Sequence, residues 1–260
     1  MTSGRGEWVR ALFAANARDW TPPSVADAAC ALFAPISYDP EASRRWAAVL
    51  SHSEVQMAGR LVTEAARAQF EQRRAFQRYC AAVALGSRRP LSEIVFRQTA
   101  KGRAYLPDLP ELWFSFSSCR RGFLGAWSWT LGVGVDLEDR TRLLDASAVA
   151  QHLFPEAEAK AVSSADGEER LRTFFQLWTL KEAALKSIGE GLAMGLDAFE
   201  FRLPPVPRVV RAPCSHGGPE RFRVYVVEQA SCCAAVVTRR NEPDRAGATK
   251  SRLGACRQTC

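Results

Sequence analysis

The chain has 260 residues, of which 47% are hydrophobic and 24% are charged, and it carries a formal net charge of +7. This composition is ordinary for a folded protein and excludes wholesale disorder. The positive charge favours anionic partners such as phosphates, acidic proteins or nucleic acid, which charge alone does not separate. The length is enough for one large domain or for two smaller ones, each with its own core.

The cysteines and histidines exclude two further classes of protein. The eight cysteines have no regular spacing and no CxxC, and several lie in apolar runs such as "VADAACALFA". We therefore expect free thiols in a reducing compartment rather than a disulfide framework. The three histidines are too scattered for a zinc site. No apolar run approaches a membrane span and residues 1–20 lack a signal-peptide core, so we expect a cytoplasmic protein without a membrane partner.

The first half of the chain is predicted to begin with a strand and to continue into helices. Residues 26–36, "ADAACALFAPI", fit a buried strand that ends near the turn signal "SYDPEAS". A helical, arginine-rich pattern covers residues 42–85, and Gly86 and Pro90 close it. Short strands and turns are predicted over "LSEIVFRQTAKGRAYLPDLPELWFSFSS".

The second half is predicted to open on a hairpin. The stretch "GFLGAWSWTLGVGVDLED" contains two apolar runs, with Thr130, Gly132 and Gly134 near the turn or the edges. A helical block follows over residues 145–189, and "DAFEFRL", "RFRVYVVE" and "CCAAVVTRR" are predicted strands. Helices and strands mix without a regular βαβ alternation, which favours an α+β fold.

Each half runs through strand, helical block and strands, which indicates two similar subdomains in one chain. We place an N-terminal subdomain at residues 1–128 and a C-terminal subdomain at residues 129–240. Residues 241–260 are polar and patternless, and they are predicted to form a disordered tail.

Two carboxylates stand close together in "GVGVDLEDR". Asp136 and Glu138 are separated by one residue, which on a strand puts both side chains on the same face. Val133, Val135 and Leu137 then form the opposite face, toward the core. Adjacent carboxylates repel each other unless a cation neutralises them, and their oxygens suit Mg²⁺. The alternative is an ordinary solvated strand face.

The stretch "FFQLWTLKEAALKSIGEGL", residues 174–192, predicts a helix that runs into a glycine stop. At about 100° per residue its apolar residues form one broad arc, yet Glu182 projects near the middle of that arc. Lys181 lies within the arc and Lys186 lies at its edge. Buried charges are usually paired or bound to metal. The spacing of Glu182 and Lys186 allows a structural i,i+4 ion pair, and the other interpretation is a site carboxylate that binds a cation.

Basic residues in the first half provide candidates for binding an anion. Lys101, Gly102 and Arg103 form a short loop in which the glycine lets the backbone approach an anion. Arg74 and Arg78 lie one helical turn apart and form a basic face. With the carboxylates and lysines, these residues provide the groups that phosphoryl transfer uses: a metal site, cations and a base. No P-loop, kinase signature or GxGxxG occurs in the sequence.

The order of these motifs resembles the signature of the 4′-phosphopantetheinyl transferases. That family has a G-[IV]-D-x-E strand followed by W-x-x-K-E-x-x-x-K-x-x-G-x-G-L, and here "VGVDLE" precedes "FFQLWTLKEAALKSIGEGL" in the same order. The length looks like the surfactin-synthetase-activating type, a pseudo-dimer within one chain, rather than the short trimeric fatty-acid type. Every named position of the second motif is filled, by Trp178, Lys181, Glu182, Lys186, Gly189, Gly191 and Leu192.

The resemblance implies a reaction and a catalytic set. Enzymes of this family move phosphopantetheine from coenzyme A to a serine of an apo acyl or peptidyl carrier protein and release 3′,5′-ADP. The matching positions imply that Asp136, Glu138 and Glu182 hold Mg²⁺ against the pyrophosphate, with Mn²⁺ as the other metal. Glu182 is the implied base for the carrier serine. Lys181 and Lys186 are implied to neutralise pyrophosphate oxygens, Lys186 as a catalytic residue.

The resemblance also implies a coenzyme A site in the first half. Arg74 corresponds to the arginine that holds the 3′-phosphate, and Arg78 matches a less certain position. The chain departs from the family at Ser118, where a histidine is usual, and in the basic loop, where Ala104 replaces a proline and Arg103 a lysine. The implied coenzyme A set comprises Arg74, Lys101, Gly102, Arg103, Ser117, Ser118, Lys181 and Lys186.

Two other hypotheses stay open at the level of sequence. One is a degenerate homologue that binds coenzyme A or a carrier protein without transfer, which the missing histidine favours. The other is a basic nucleic-acid-binding protein, but no recognisable module is present and the aromatic residues follow apolar periodicity. We therefore expect no nucleic-acid partner. An internal pseudo-dimer has no need of a second copy, so a monomer is expected.

Overall fold

Two three-stranded antiparallel sheets and two 22-residue helices dominate the fold. The computed structural model describes residues 29–86, 90–203, 205–229 and 231–241. The helices are α1 (Pro40–Ala47), α2 (His52–Gly59), α3 (Glu64–Leu85), α4 (Ala146–Leu153), α5 (Glu156–Ser164) and α6 (Gly167–Ile188). The strands are β1 (Cys30–Pro35), β2 (Arg97–Gln98), β3 (Ala104–Tyr105), β4 (Trp113–Cys119), β5 (Gly122–Ser128), β6 (Leu131–Asp139), β7 (Glu200–Arg202), β8 (Arg208–Arg211), β9 (Phe222–Gln229) and β10 (Cys232–Arg240).

This mixture confirms the predicted α+β class, and local signals located most of the elements. The block at 42–85 is three helices, and so is the block at 145–189. Gly86 and Gly189 end the two long helices in the left-handed conformation, with φ of 54° and 75°. The first residues of the predicted strand at 26–36 and the predicted tail from residue 242 onward lie outside the described residues. The division into two similar subdomains stays a prediction.

The connection between β5 and β6 corrects the predicted hairpin. β5 pairs with β4 and β1, whereas β6 pairs with β10, so the two strands belong to different sheets. At the corner, Ser128 Oγ accepts hydrogen bonds from the backbone N–H groups of Thr130 and Leu131. Every residue of β5 is buried. β5 therefore packs between two apolar layers. In the sequence, a short turn between two apolar runs looks the same whether the chain forms a hairpin or passes to a second sheet.

Three apolar clusters divide the molecule into layers. One cluster lies between α3 and the β1-β5-β4 sheet, and another lies between α6 and the β6-β10-β9 sheet. The third is built by both sheets and contains Val133, Val135 and Leu137. These residues take one face of β6 and leave Asp136 to the α6 side, which confirms the predicted alternation.

Two glycines of β6 let α6 approach the strand closely, which corrects their predicted place near a hairpin turn. A Cβ atom at Gly134 would lie 1.8 Å from the carbonyl oxygen of Ala183, and one at Gly132 would lie 2.3 Å from that of Ser187. Only glycine fits at such distances. The close approach brings the α6 residues Glu182 and Lys186 beside Asp136. Among the described residues, no helix has the length and the apolar character that crossing a membrane requires.

Candidate active site

A cavity of about 380 Å³ lies where β4, α3 and the loop before β3 meet α6. Its volume is within the range of small-molecule sites. Three residues of its wall, Arg73, Gln77 and Gln98, were not predicted from the sequence. The pair "RR" at 73–74 indicated basic side chains there, but it did not show that both of them face a cavity. The predicted residues in the wall are Arg74, Lys101, Gly102, Arg103, Ser117, Ser118, Glu182 and Lys186.

Asp136 lies beside this cavity, at the junction of β4, β6 and α6. Its side chain is buried, and its Oδ1 accepts hydrogen bonds from Ser117 Oγ at 2.8 Å and from Lys186 Nζ at 2.7 Å. Its other oxygen, Oδ2, is buried without a hydrogen-bond partner among the described residues. A buried carboxylate oxygen without a partner is costly, so this atom points to a ligand that completes the site.

Two further carboxylates share this environment. Burial raises the pKa of Glu182, and the charges of Asp136 and Glu138 add to that effect against the opposing charge of Lys186. Burial and Asp136 likewise raise the pKa of Glu138, whose Oε2 lies 3.7 Å from the exposed Arg142. Negative charge therefore exceeds positive charge at the cluster of Asp136, Glu138 and Glu182, which is hereafter the carboxylate cluster.

Lys186 is the cation within the carboxylate cluster. Its Nζ lies 2.7 Å from Asp136 Oδ1 and 3.7 Å from Glu182 Oε2. Burial opposes its charge, but Asp136 and Glu182 outweigh that effect, so the pKa of Lys186 is raised and it stays an ammonium ion. Its side chain is 28% exposed and also lines the cavity, where it can meet an anion.

The oxygen atoms of the carboxylate cluster are chemically suited to a divalent cation. Carboxylate oxygens are the ligands that Mg²⁺ and Mn²⁺ prefer, and Asp136 Oδ2 is unsatisfied. Within the described part of the chain, however, no three His, Cys, Asp or Glu side chains are grouped closely enough to form a preassembled metal site.

Another part of the cavity wall is basic, and its residues Arg74, Lys101 and Arg103 are hereafter the basic wall. The guanidinium of Arg103 stacks on Trp113, with its carbon 4.2 Å from the ring centre, and its Nη1 is buried without a hydrogen-bond partner among the described atoms. Gly102 turns the loop at a φ of 85°, a conformation that favours glycine. Lys101 forms an ion pair with Glu190, which also lies 3.6 Å from His216. Arg103 is therefore a donor prepared for an anion.

The placement of Lys181 corrects its predicted role. The side chain is fully buried, 2.5 Å from Glu158 Oε2, and Nζ donates hydrogen bonds to the carbonyls of Leu196 and Phe199 at 3.1 and 2.6 Å. Five helical positions separate Lys181 from Lys186, which turns their side chains about 140° apart. Lys181 therefore faces α5 and β7, and it does not line the cavity.

Arg78 also differs from its predicted place on a basic face. It is 3% exposed and donates from Nη1 and Nη2 to the two carboxylate oxygens of Glu54, at 3.2 and 2.6 Å. Glu54 in turn caps α2. Arg78 thus ties α3 to α2, while Arg74, one turn earlier, reaches the cavity.

Comparison with known proteins places this chain in a class. Residues 132–237 match the model of the 4′-phosphopantetheinyl transferase superfamily, a stretch that contains the carboxylate cluster and Lys186. The protein HetI from Nostoc is named a 4′-phosphopantetheinyl transferase and is 30% identical over 162 residues, which cover 61% of this chain and 67% of HetI. The chain belongs to the 4′-phosphopantetheinyl transferase superfamily.

Within that superfamily its relatives are of the Sfp type. The 4′-phosphopantetheinyl transferase Sfp of Bacillus subtilis is 30% identical over 148 residues, which cover 55% of this chain and 64% of Sfp. The 4′-phosphopantetheinyl transferase psf-1 of Bacillus pumilus is 28% identical over 141 residues, covering 54% and 59%. The chain thus spans about three fifths to two thirds of the length of these curated relatives.

Proposed function

We propose that this protein transfers the 4′-phosphopantetheine group of coenzyme A to a serine of an apo acyl or peptidyl carrier protein and releases 3′,5′-ADP. The observation that carries the proposal is one cavity that joins a basic wall to the carboxylate cluster through Lys186. A basic wall suits the phosphates of coenzyme A, and the carboxylate cluster suits a cation and a base.

The basic wall provides for the binding step. Arg74 and Arg103 approach the cavity from different elements, and Arg103 is held in place by its stack on Trp113. Arginine pairs with phosphate through two parallel hydrogen bonds, so these two side chains would hold the 3′-phosphate and a pyrophosphate oxygen. Lys101 would join them by exchanging Glu190 for an anion.

The carboxylate cluster provides for the chemical step. Asp136, Glu138 and Glu182 would hold Mg²⁺, which when bound supplies positive charge to the pyrophosphate. The serine oxygen forms a bond to the β-phosphorus while the bond from that phosphorus to the departing 3′,5′-ADP breaks. Glu182, in the cavity wall, accepts the proton of the serine. Lys186 offers its ammonium to the leaving phosphate.

The chain is proposed to act as a cytoplasmic monomer. The walls of the cavity come from both halves of a single chain, so no second copy is needed to complete the site. The cysteines in the described residues are free, as in a reducing compartment.

The test is the intact mass of a purified apo carrier protein after incubation with this enzyme, coenzyme A and Mg²⁺. We expect a gain of one phosphopantetheine, which EDTA or Glu182→Gln abolishes. Glu168→Gln, an exposed position in the first turn of the same helix, is the matched control and should leave the gain intact. No gain with carriers from several synthase classes would contradict the proposal.

A degenerate homologue is the second candidate, and Ser118 in the cavity wall is the observation that favours it. Titration calorimetry with coenzyme A separates the two. Binding of coenzyme A together with no mass gain on any carrier would favour the degenerate homologue. Binding followed by transfer would exclude it.

A further inference from the structure

Two half-buried cysteines from different sheets meet at the edge of the apolar layer between the sheets. Cys119 is the last residue of β4 and Cys232 is the first residue of β10. Both pack against the cluster that contains Val135 and Leu137. They are 113 positions apart in the chain, so only the packing of one sheet on the other brings them together.

A hydrogen bond and an ion pair connect the two strand ends. The backbone N–H of Arg121 donates to Cys119 Sγ at 3.4 Å, and Arg121 Nε lies 3.2 Å from Asp139 Oδ1. Asp139 is directly opposite Cys232 in the β6–β10 ladder. Arg121 and Asp139 therefore connect Cys119 to Cys232 through a series of contacts.

The two thiols are in hydrogen-bonding contact. The interaction between them lowers the pKa of Cys119 and raises the pKa of Cys232. The thiolate is the form of cysteine that attacks a disulfide, and Cys119 Sγ also accepts the N–H of Arg121, so we assign Cys119 as the nucleophile of the pair.

The other described cysteines lack this combination. Cys80 and Cys233 are buried, and burial raises the pKa of both thiols. Cys30 in β1 and Cys214 in the turn after β8 are exposed, and neither packs against the apolar cluster that Cys119 and Cys232 contact.

We propose that Cys119 and Cys232 form a redox-active dithiol site, which a small-molecule disulfide such as oxidised glutathione converts to a disulfide bond between the two sheets of the folded protein. The Cys119 thiolate attacks one sulfur of the reagent, whose S–S bond breaks and releases the first thiol. Cys232 then loses its proton, and its sulfur attacks Cys119 Sγ, which forms the protein S–S bond and releases the second thiol. Two protein S–H bonds become one S–S bond, and the reagent is reduced to two thiols.

The bond would fasten the edge of the candidate active site. Ser117, two residues before Cys119 on the same face of β4, donates its hydroxyl to Asp136 of the other sheet. A disulfide that closes so long a loop restricts the unfolded chain strongly. We therefore expect the oxidised protein to have a Tm higher by about 5 °C or more.

The experiment treats the purified full chain with oxidised glutathione, blocks the remaining thiols and maps the peptides without reduction. The expected result is a linked Cys119–Cys232 peptide pair and a raised Tm, both reversed by dithiothreitol. Cys119→Ser and Cys232→Ser should each abolish the linked pair and the rise in Tm, while the exposed control Cys30→Ser keeps both. Circular dichroism verifies that each variant is folded.

Three outcomes would overturn the proposal. One is a stable glutathione adduct on Cys119 with no second step, and another is linkage of either cysteine to a different cysteine. The third is a linked pair that forms only under denaturing conditions, because the site would then not be assembled by the fold.

Discussion

Lys181 and Lys186 lie five residues apart on α6, and both pair with carboxylates, yet they belong to two different kinds of site. The Lys181 ammonium is fully buried and meets Glu158 and two backbone carbonyls. The Lys186 ammonium is partly exposed and stands among carboxylates that include an unsatisfied oxygen. The first region is closed to solvent and its two opposite charges compensate each other, which is typical of structural pairs. The second region is partly exposed and has excess negative charge, which is typical of a site that binds a ligand.

The comparison shows why burial alone does not identify a functional charge. Lys181 is the more deeply buried lysine, and burial lowers its pKa while Glu158 opposes that effect. Glu158 Oε2 accepts no hydrogen bond among the described residues, but it lies 2.5 Å from the Lys181 ammonium, which compensates its charge. The balance of charge around a buried ion is the better criterion, because Lys181 and Glu158 neutralise each other whereas three carboxylates act on Lys186.

The largest effect is expected from breaking the closed region. Lys181→Met leaves the Glu158 carboxylate buried without its cation, which should lower the free energy of unfolding by about 3–5 kcal/mol. Urea denaturation measures it. Lys181→Met with Glu158→Gln should recover part of the loss, because the glutamine keeps an acceptor for the Phe201 N–H. A Lys181→Met protein of unchanged stability would contradict the structural role.

Next in size is the loss of the cation in the open region. Lys186→Met should lower kcat/KM for transfer on the order of 10²–10³-fold, because the leaving phosphate loses its ammonium. Initial rates of carrier modification measure this effect. Lys160→Met, an exposed position on α5, is the control and should keep the wild-type rate. A drop of less than about threefold for Lys186→Met would place the chemistry elsewhere.

The close approach of α6 to β6 can be loosened directly. Gly134→Ala puts a methyl group against the carbonyl of Ala183, so α6 must move away from Asp136. We expect a loss of about 1–3 kcal/mol in unfolding free energy together with reduced transfer by the remaining folded protein. Gly59→Ala, where a Cβ meets no atom within 4 Å, is the matched control. If Gly134→Ala leaves both the unfolding free energy and the transfer rate unchanged, Gly134 does not determine the position of α6 beside Asp136.

The smallest effect concerns the basic wall. Arg103→Lys loses the stack on Trp113 and the paired hydrogen bonds to phosphate. We expect the KM for coenzyme A to rise about tenfold with little change in kcat, as for an interaction equal in the ground and transition states. The exposed Arg97→Lys serves as the control in the same kinetic assay. An effect on kcat alone would assign Arg103 to the chemical step.

Much of this arrangement was predictable because it depends on local periodicity. Strand alternation placed Asp136 and Glu138 on one face, and the glycines at 86 and 189 marked the helix ends. The basic loop at 101–103 was evident from its composition.

The rest depends on contacts between distant segments. Helix α6 is buried on two sides, so its apolar arc could not show which side each lysine faces. Arg78 is paired with Glu54, 24 positions away, and no local pattern encodes that distance. The passage of the chain from one sheet to the other after Ser128 likewise depends on which distant strands are available for pairing.

The most direct measurement is the mass of an apo carrier protein after incubation with coenzyme A, Mg²⁺ and equal amounts of folded enzyme. The enzymes compared are the wild type, Lys186→Met, and the double variant of Lys181→Met and Glu158→Gln. We predict a phosphopantetheine gain with the wild type and the double variant at comparable rates, and almost none with Lys186→Met. A gain that survives Lys186→Met but disappears in the folded double variant would reverse the assignment of the two regions and contradict the account.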